Sequence, residues 1–416
     1  MKQLRDYQIR ISNDAAETLQ RKKLVCLFME VRTGKSLTAL ETCKKVGAKR
    51  VLFITKIKAF SSITDDYYNF NYSNQFELTV INRESMHKVI TNDFNVVIID
   101  EVHGYASYPK PSKFHKDIKQ RFGNIPMIML SGTPTPESYS QYYHIFNLSN
   151  YSPFKQANFY KWANDFVDIK LKYLGYAQVK DYSNARKKNF WHLIRYYILT
   201  FTQAEAGFTT SVNEMVLECE MKPITYQIIN KLKRDLVVTS STTGKQIIAD
   251  TGVKLQQKIH QLSSGTVKFE DGSIQVIDDS KAQFIKEKFK GVKIAIFYNF
   301  IAELEMLKLT FKEMLTTDLE EFNTTDKNIA LQIVSGREGI SLKAADHLVF
   351  FNIAFSAVSY FQAKDRLTTM ERKENTIFWI FSKDGIEEKI YKSVQNKKDY
   401  TLSCFRKDFN VNLKNN

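Results

Sequence analysis

The sequence predicts an α/β fold in which two parallel-sheet units flank a middle section of different composition. Three observations lead to it. Short continuous apolar segments recur in the first third of the chain, they recur in the last third, and amphipathic stretches separate them. Continuous rather than alternating apolar segments indicate strands buried on both faces, as in a parallel sheet covered by helices.

The first unit is predicted to span residues 1–150 and to alternate strands with helices. An amphipathic stretch at 36–46 has the spacing of a helix that follows the first strand. The predicted strands are Leu24–Met29, Val51–Thr55, Leu78–Ile81, Val96–Asp100 and Met127–Ser131. This alternation is typical of a parallel α/β sheet.

The last unit, predicted to span residues 276–416, shows the same alternation of strands and helices. Helical spacing is found at 301–311 and at 386–394. The predicted strands are Val292–Phe297, Ala330–Val334, His347–Phe351 and Thr376–Phe381. A second α/β domain is therefore predicted at this end of the chain.

The middle section, residues 151–275, is rich in Tyr, Lys and Gln and is predicted to be mainly helical. Helical periodicity is present near 158–200 and at 222–237. The segments TSSTTG at 239–244 and FEDGS at 269–273 have the composition of turns.

Composition excludes several classes of protein. The 416 residues include 60 Lys+Arg and 45 Asp+Glu, a net charge of +15 that favours a polyanionic partner. The four cysteines are scattered without a CxxC pair, so we expect neither a zinc site nor a disulfide framework, and a reducing cytosol. No apolar segment approaches the roughly 18 residues that cross a membrane, so no membrane partner is expected.

A phosphate-binding loop is predicted where the first strand meets the first helix. The residues there read MEVRTGKS, from Met29 to Ser36. Gly34 would let the backbone approach phosphates, and Lys35 would place a charge on the β- and γ-phosphates. The hydroxyl of Ser36 would be a ligand of Mg²⁺.

A second segment, VVIIDEVH at 96–103, ends a predicted strand in two adjacent carboxylates. Asp100 would hold Mg²⁺ directly or through water, and Glu101 would accept a proton from the attacking water. The alternative is a strand followed by an acidic helix cap. The loop upstream favours the catalytic interpretation.

Seven segments follow the motif order of superfamily 2 helicases and translocases. They are LRDYQ at 4–8 (Q motif), EVRTGKS at 30–36 (motif I), DEVH at 100–103 (motif II), SGTPTP at 131–136 (motif III), KIAIFYNF at 293–300 (motif IV), SGREGISL at 335–342 (motif V) and QAKDRLTT at 362–369 (motif VI). The chain most resembles the remodeller-like (Swi/Snf-type) branch, especially the short DEAD/DEAH-type versions of tailed bacteriophages. The resemblance covers roughly residues 1–147 and 281–416.

This resemblance implies two RecA-like domains with ATP and Mg²⁺ in the cleft between them, and nucleic acid lying across both. The implied ATP-binding residues are Gln8, as the adenine contact, with Arg32, Thr33, Gly34, Lys35, Ser36, Gly339 and Arg372. The implied nucleic-acid contacts are Thr55 and Lys56 in motif Ia, Asn82 near motif Ib, and Arg337 in motif V.

Two positions depart from the family pattern. Arg32 replaces a glycine of the loop, which predicts a stiffer loop. In motif VI, Arg366 matches the first of two arginines, but Thr369 occupies the second position. Arg366 alone, Arg372 one turn beyond Thr369, or Arg337 could neutralise the transferring phosphoryl group. We favour Arg366, with Arg372 as a lesser contributor.

Residues 169–200 carry seven basic side chains, one acid and many aromatic residues. Arg186, Lys187 and Lys188 are the candidate phosphate contacts. The alternative is a helical subdomain with its own aromatic core and solvated lysines. We expect Trp191, Tyr196 and Tyr197 in the core rather than as platforms for bases.

The function that the sequence predicts is an ATP-dependent DNA helicase or translocase, acting on duplex, forked or single-stranded DNA. Phage replication or recombination in a bacterial cytoplasm, with partner proteins of those processes, is the expected setting. The alternatives are an RNA helicase, with RNA as the weaker candidate partner, and a nucleotide-gated binding or scaffold protein with weak ATPase activity.

Overall fold

The computed structural model describes residues 3–91, 93–173, 178–207, 211–333, 342, 344–356, 360 and 374–396. The chain divides into two units, Met1–Phe208 and Thr209–Asn416.

The first unit is built on a parallel sheet whose central strands are entirely buried. Its described strands are β1 (Leu24–Met29), β2 (Arg50–Ile54), β3 (Glu77–Ile81), β4 (Val96–Ile99), β5 (Met127–Leu130), β6 (Lys170–Tyr173), β7 (Gln178–Asp181) and β8 (Ile198–Phe201). The order β3-β2-β4-β5-β1-β8 forms one sheet in which every pairing is parallel. β6 and β7 form a separate antiparallel pair.

Helices cover both faces of this sheet. The described α-helices are α1 (Asp6–Lys22), α2 (Lys35–Lys45), α3 (Phe60–Asn69), α4 (Lys113–Phe122), α5 (Gln141–Asn147), α6 (Phe159–Phe166) and α7 (Lys187–Ile194). Successive residues of β1 enter different hydrophobic clusters, Leu24 and Cys26 in one, Val25 and Leu27 in the other. Side chains of neighbouring strand residues point to opposite faces, so both faces are covered, as the continuous apolar pattern predicted.

Aromatic residues fill the part of the core formed by α5, α6 and α7. Trp162 and Phe190 are fully buried, and their ring centroids lie 5.3 Å apart. Tilted and edge-to-face contacts of this kind add to the stabilisation from buried area. This cluster attaches residues 159–194 to the first unit.

The second unit has a parallel sheet of its own. Its described strands are β9 (Ser211–Cys219), β10 (Val237–Thr239), β11 (Gln246–Ile248), β12 (Thr266–Lys268), β13 (Ile274–Val276), β14 (Ile294–Tyr298), β15 (Leu315–Thr316), β16 (Asn328–Gln332), β17 (His347–Phe350) and β18 (Glu374–Ser382). The order β15-β16-β14-β17-β18-β9 forms one sheet with parallel pairings throughout. The predicted turns at 239–244 and 269–273 lie within the antiparallel pairs β10–β11 and β12–β13.

The helices of the second unit again include those predicted. The described α-helices are α8 (Pro223–Asp235), α9 (Gly252–Ser263), α10 (Ser280–Lys288), α11 (Ile301–Phe311), α12 (Leu319–Thr324) and α13 (Glu387–Gln395). Lys281 and Glu387 form a fully buried ion pair at 2.5 Å, and Ser382 also donates to Glu387. A buried pair of this kind is costly to break from one side.

The predicted fold class, two tandem RecA-like parallel-sheet domains, is confirmed. The middle section, 151–275, contains strands as well as helices, and the boundary between units falls within it. Its strands β8 and β9 extend the two sheets, one each. The division at 150 and 275 stays a prediction.

Candidate nucleotide site

The predicted nucleotide-binding residues of the first unit follow strands whose carboxyl ends share one edge of the sheet. β1 leads to the loop at 30–34, β2 to Thr55, β4 to Asp100 and β5 to Ser131. Because β2, β4, β5 and β1 are neighbours and parallel, these segments lie next to one another. Ligands of open α/β sheets bind at this edge.

Hydrogen bonds within the loop between β1 and α2 define its shape. The carbonyl of Glu30 accepts from the hydroxyl of Thr33 at 2.7 Å and from Nζ of Lys35 at 3.2 Å. Thr33 is fully buried, whereas Lys35 and Ser36 are half-buried. The helix α2 begins at Lys35, so the N–H groups of its first turn lie where an anion would be bound.

Two residues of this loop have left-handed backbone conformations. Gly34 has φ of 78°, and Arg32 has φ of 63°. Arg32 therefore occupies a position whose conformation suits glycine, at a cost of roughly 1–2 kcal/mol for a residue with a Cβ. The stiffer loop predicted for Arg32 stays a prediction. Its backbone conformation gives the prediction a physical basis.

The helix α1 packs against this loop through Tyr7 and Gln8. The hydroxyl of Tyr7 donates to the carbonyl of Thr33 at 3.1 Å. A Cβ on residue 34 would collide with Nε2 of Gln8, whose Oε1 accepts from the backbone N–H of Arg5 at 2.9 Å. Gln8 is thus beside the loop, and its predicted adenine contact stays a prediction.

Asp100 and Glu101 follow β4 at the centre of the edge. Thr55 donates its hydroxyl proton to Oδ2 of Asp100 at 2.8 Å, and the backbone N–H of Glu101 donates to Oδ1 at 2.9 Å. Both oxygens of Asp100 are thereby oriented. Glu101 has φ of 46°, a strained conformation that is found at functional sites.

His103 connects Glu101 to the loop after β5. Its Nδ1 lies 3.2 Å from Oε2 of Glu101 and 3.1 Å from Oγ of Ser131. Ser131 also accepts from the backbone N–H of Thr133 at 3.1 Å. The DEVH and SGTPTP segments are therefore joined by one imidazole ring.

The two carboxylates have opposite electrostatic surroundings. Burial, followed by the charge of Glu101, raises the pKa of Asp100. Burial also opposes ionisation of Glu101, but its hydrogen bond with His103 and the charges of His103 and Lys35 hold its pKa below the usual range. Glu101 is thus held ionised, and a cation beside Asp100 would favour the ionised form of that group.

The residues fit a Mg²⁺ ion bound together with a nucleotide. Ser36 offers a hydroxyl and Asp100 a carboxylate, and such sites take few protein ligands because phosphates and water supply the rest. Both Asp100 oxygens already accept hydrogen bonds, which orient carboxylate ligands of metals. Among the described residues no cluster of three or more Asp, Glu, His or Cys forms a metal site by itself.

A further support of the loop comes from residues after β8, which the sequence analysis did not foresee. The backbone N–H of Gln203 donates to Oε2 of Glu30 at 2.7 Å, and its side-chain amide donates to the carbonyl of Val31 at 3.0 Å. Tyr7 stacks on Phe201, with centroids 4.4 Å apart. No local pattern signals these contacts, because they depend on β8 pairing with β1.

The predicted nucleic-acid contacts of motifs Ia and Ib differ in their exposure to solvent and in their hydrogen bonds. Lys56 is exposed. Thr55 is 6% exposed and its hydroxyl bonds to Asp100, so it has a positioning role that the sequence analysis missed. Asn82 is half-buried and donates to Oε2 of Glu84 at 3.0 Å. Phosphate contacts by these residues stay predictions.

The candidates of the middle section lie at the start of α7. Arg186 is exposed but lies 3.4 Å from Oδ1 of Asp168. Lys188 is exposed and Lys187 is half-buried. The predicted site residues that lie outside the described residues are Arg337, Gly339, Arg366 and Arg372, together with the variant position Thr369.

Comparison with known proteins places the first unit in context. Residues 1–136 match the family model described as "Type III restriction enzyme, res subunit". This match to a helicase family confirms the resemblance of that part of the chain to superfamily 2 helicases. No curated protein matches the chain, and none of the described helices is long and apolar enough to span a membrane.

Two solved structures match the chain at low identity. The Sulfolobus solfataricus SWI2/SNF2 ATPase core in complex with dsDNA is 16% identical, with a TM-score of 0.42, over 99% of this chain and 94% of that one. The S. solfataricus SWI2/SNF2 ATPase core domain is also 16% identical, with a TM-score of 0.43, over 100% and 91%. At TM-scores this low we draw nothing further from them.

Proposed function

We propose that the chain is an ATP-dependent DNA helicase or translocase, in which ATP hydrolysis drives movement on DNA or its remodelling. The observation that carries this proposal is the position of Lys35, Asp100 and Glu101 at one edge of a parallel sheet. Burial opposes ionisation of both carboxyl groups and the charge of Lys35 favours it in both, so the three groups act on one another. A phosphate-binding lysine beside two carboxylates is the composition of a nucleoside-triphosphatase site.

Each side chain has a distinct role in the proposed reaction. Lys35 and the first N–H groups of α2 bind the phosphates of ATP. Glu101 accepts a proton from the water that attacks the γ-phosphate, and His103 holds its carboxylate. Asp100, oriented by Thr55, and Ser36 would hold Mg²⁺, which when bound neutralises charge on the phosphates.

Arg366 completes the proposed site through the resemblance of motif VI. A guanidinium beside the transferring phosphoryl group neutralises the charge that builds up there. Arg372 is proposed as a lesser contributor, and Arg337 and Gly339 as residues of motif V. Thr369 has no charge to add, so we expect slow hydrolysis until nucleic acid is bound.

The choice of DNA, and a role in phage replication or recombination, is the finer part of the proposal. It is supported by the motif resemblance and by the net charge of +15, which favours a polyanionic partner. The candidate contacts in the first unit are Thr55, Lys56, Asn82, Arg186, Lys187 and Lys188.

One assay separates this function from its alternatives. ATP hydrolysis is measured without nucleic acid and with single-stranded, duplex and forked DNA and RNA, with Lys35→Ala as the inactive control. Stimulation by DNA above RNA supports the proposal. Stimulation by RNA alone would indicate an RNA helicase, and a slow rate that no nucleic acid changes would indicate a nucleotide-gated binding protein.

A further inference from the structure

One face of α7 forms a shallow, strongly basic groove on the first unit. The groove has a volume of about 510 Å³ and is lined by Lys187, Lys188, Trp191, His192 and Arg195. These side chains share a face because residues three and four apart are neighbours on a helix. Phe190 and Ile194 lie on the other face and are fully buried in the aromatic core.

The positions of two aromatic residues differ from the sequence-based expectation. Trp191 and Tyr196 were expected in the core, but Trp191 is half-buried at the groove and Tyr196 is 60% exposed. Phe190 and Trp162 fill the core instead. The Tyr196 ring and the Trp191 indole are not isolated apolar groups on the surface. Both lie beside a basic groove, and their neighbours are cations.

Cations lie over each of these rings. Nζ of Lys187 is 4.3 Å from the centroid of Trp191 and 5.0 Å from that of Tyr139. Two cations lie near the Tyr196 ring. The guanidinium of Arg195 is 4.5 Å from the ring centroid, and Nζ of Lys22 is 5.1 Å from the same centroid. Cations and rings therefore alternate, and we call this set of residues the α7 stripe: Lys22, Tyr139, Lys187, Lys188, Trp191, His192, Arg195 and Tyr196.

The stripe extends along the sheet from the nucleotide edge towards the opposite edge. Tyr139 follows the SGTPTP segment after β5, while Lys22 ends α1 immediately before β1. The loop with Tyr139 is attached to the chain that precedes α7, because the hydroxyls of Ser138 and Ser140 donate to the carbonyls of Ser183 and Tyr182. The stripe is thus joined to the loop that follows motif III.

Charge favours an anionic occupant. None of the side chains that line the groove is acidic. Arg186, at the start of the same helix, is paired with Asp168, which leaves Lys187, Lys188 and Arg195 as the cations that face the groove. Closely spaced cations between rings fit a polymer that carries both phosphates and planar bases.

We propose that the α7 stripe binds single-stranded nucleic acid, with Lys187, Lys188 and Arg195 on phosphates and Trp191 stacked on a base. The proposal rests on the proposed function, because it adds a binding site to the same nucleic-acid motor. A contact between a cation and an exposed ring is weak, about 0.5–1 kcal/mol. Phosphates therefore draw Lys187 away from Trp191 and uncover the ring for a base. The bases of a duplex are already stacked and paired, so a duplex offers its phosphates only.

The chain carries an intrinsic reporter for this site. Of its three tryptophans, Trp162 and Trp379 are fully buried and Trp191 lines the groove. The protein without ATP is titrated with oligo(dT) and oligo(U) of about 12 nucleotides and with a DNA duplex of the same length. We expect the single strands to quench tryptophan emission strongly and the duplex, which offers no base for stacking, to change it much less. The two single strands distinguish DNA from RNA as the source.

Variants separate stacking from charge. Trp191→Phe keeps a ring for packing and stacking but removes the emission change, while affinity, measured by anisotropy of a labelled strand, stays nearly constant. Trp191→Ala should weaken binding about 5- to 150-fold.

Lys187→Ala with Lys188→Ala should flatten the slope of log K against log salt by about 1.4. Lys231→Ala with Lys288→Ala removes the same charge from exposed positions of the second unit and should leave the slope unchanged.

Several results would overturn the proposal. They are tight single-strand binding without any change in Trp191 emission, equal quenching by duplex, or equal loss of slope in the two double variants. If Trp191→Ala fails to fold, the unmodified protein and Trp191→Phe still decide the outcome. The Lys35→Ala protein should show the same quenching, so failure of the stripe and failure of the nucleotide site are distinguishable.

Discussion

The nucleotide site and the α7 stripe are built in different ways, although both lie on the first unit. At the nucleotide site, hydrogen bonds fix the functional groups one by one: Thr55 to Asp100, and Tyr7 to the carbonyl of Thr33. In the stripe, the ammonium group of Lys187 instead lies over the rings of Tyr139 and Trp191. The first arrangement suits chemistry that needs fixed geometry, and the second suits a sequence-tolerant partner that slides.

The largest effect is expected where the nucleotide site depends on motif VI. Arg366→Ala should reduce nucleic-acid-stimulated hydrolysis by about 10³–10⁵-fold and leave ATP binding nearly intact, because an arginine finger acts on the transition state. Stimulated hydrolysis and nucleotide affinity are measured in parallel. A loss of less than about tenfold, together with inactive Arg372→Ala or Arg337→Ala proteins, would show that the finger was misassigned.

A smaller but still large effect is expected at the carboxylate held by His103. Glu101→Gln keeps the shape of the side chain and removes the proton acceptor, so turnover should fall by about 10²–10⁴-fold while ATP stays bound. Lys35→Ala should also abolish turnover but weaken ATP binding, because it removes the charge that attracts the phosphates. Parental turnover by Glu101→Gln would contradict the assignment of the general base.

The fixed geometry of the loop can be tested with two glycines. Gly34→Ala and Gly47→Ala both place a Cβ on a left-handed residue, with φ of 78° and 68°. Each should reduce the free energy of unfolding by roughly 1–2 kcal/mol. Position 47 has nothing near the added Cβ, whereas position 34 collides with Gln8. Only Gly34→Ala should also weaken ATP binding, as measured by titration; equal ATP affinity in the two variants would show that Gln8 does not restrict the loop.

The smallest effect concerns the charges at the start of α7. Changing Arg186, Lys187 and Lys188 together to Ala should flatten the salt dependence of binding by roughly two units. Because Arg186 is paired with Asp168, Arg186→Ala alone should contribute less than Lys188→Ala alone. Binding of a labelled strand at several salt concentrations measures both. An unchanged slope in the triple variant would favour solvated lysines over phosphate contacts.

The sequence predicted the parts of the molecule that local patterns determine. Each of the five strands predicted for the first third is found within two residues of its expected bounds. Lys35, Asp100 and Glu101 were predicted as one site because motif order carries that information. The antiparallel turns near 240 and 270 were also recognisable from their composition.

Those local patterns could not predict which strands pair over long distances in the sequence. β8 and β9 join the sheets from a section predicted to be mainly helical, and only the partner strand decides such a pairing. Trp191 and Phe190 are neighbours with similar apolarity, yet one lines the groove and the other is buried. The orientation of a short helix such as α7 depends on what it packs against.

The most direct test of the account is the dependence of ATP hydrolysis on nucleic acid in the parental protein and in the Lys187→Ala, Lys188→Ala double variant. The account predicts that nucleic acid raises the parental rate. The double variant should reach the same maximal rate, but only at a higher nucleic-acid concentration, because the stripe binds the strand while Lys35 and Glu101 perform the chemistry. A parental rate that no nucleic acid changes, or a double variant with a lower maximal rate at the parental half-saturating concentration, would contradict it.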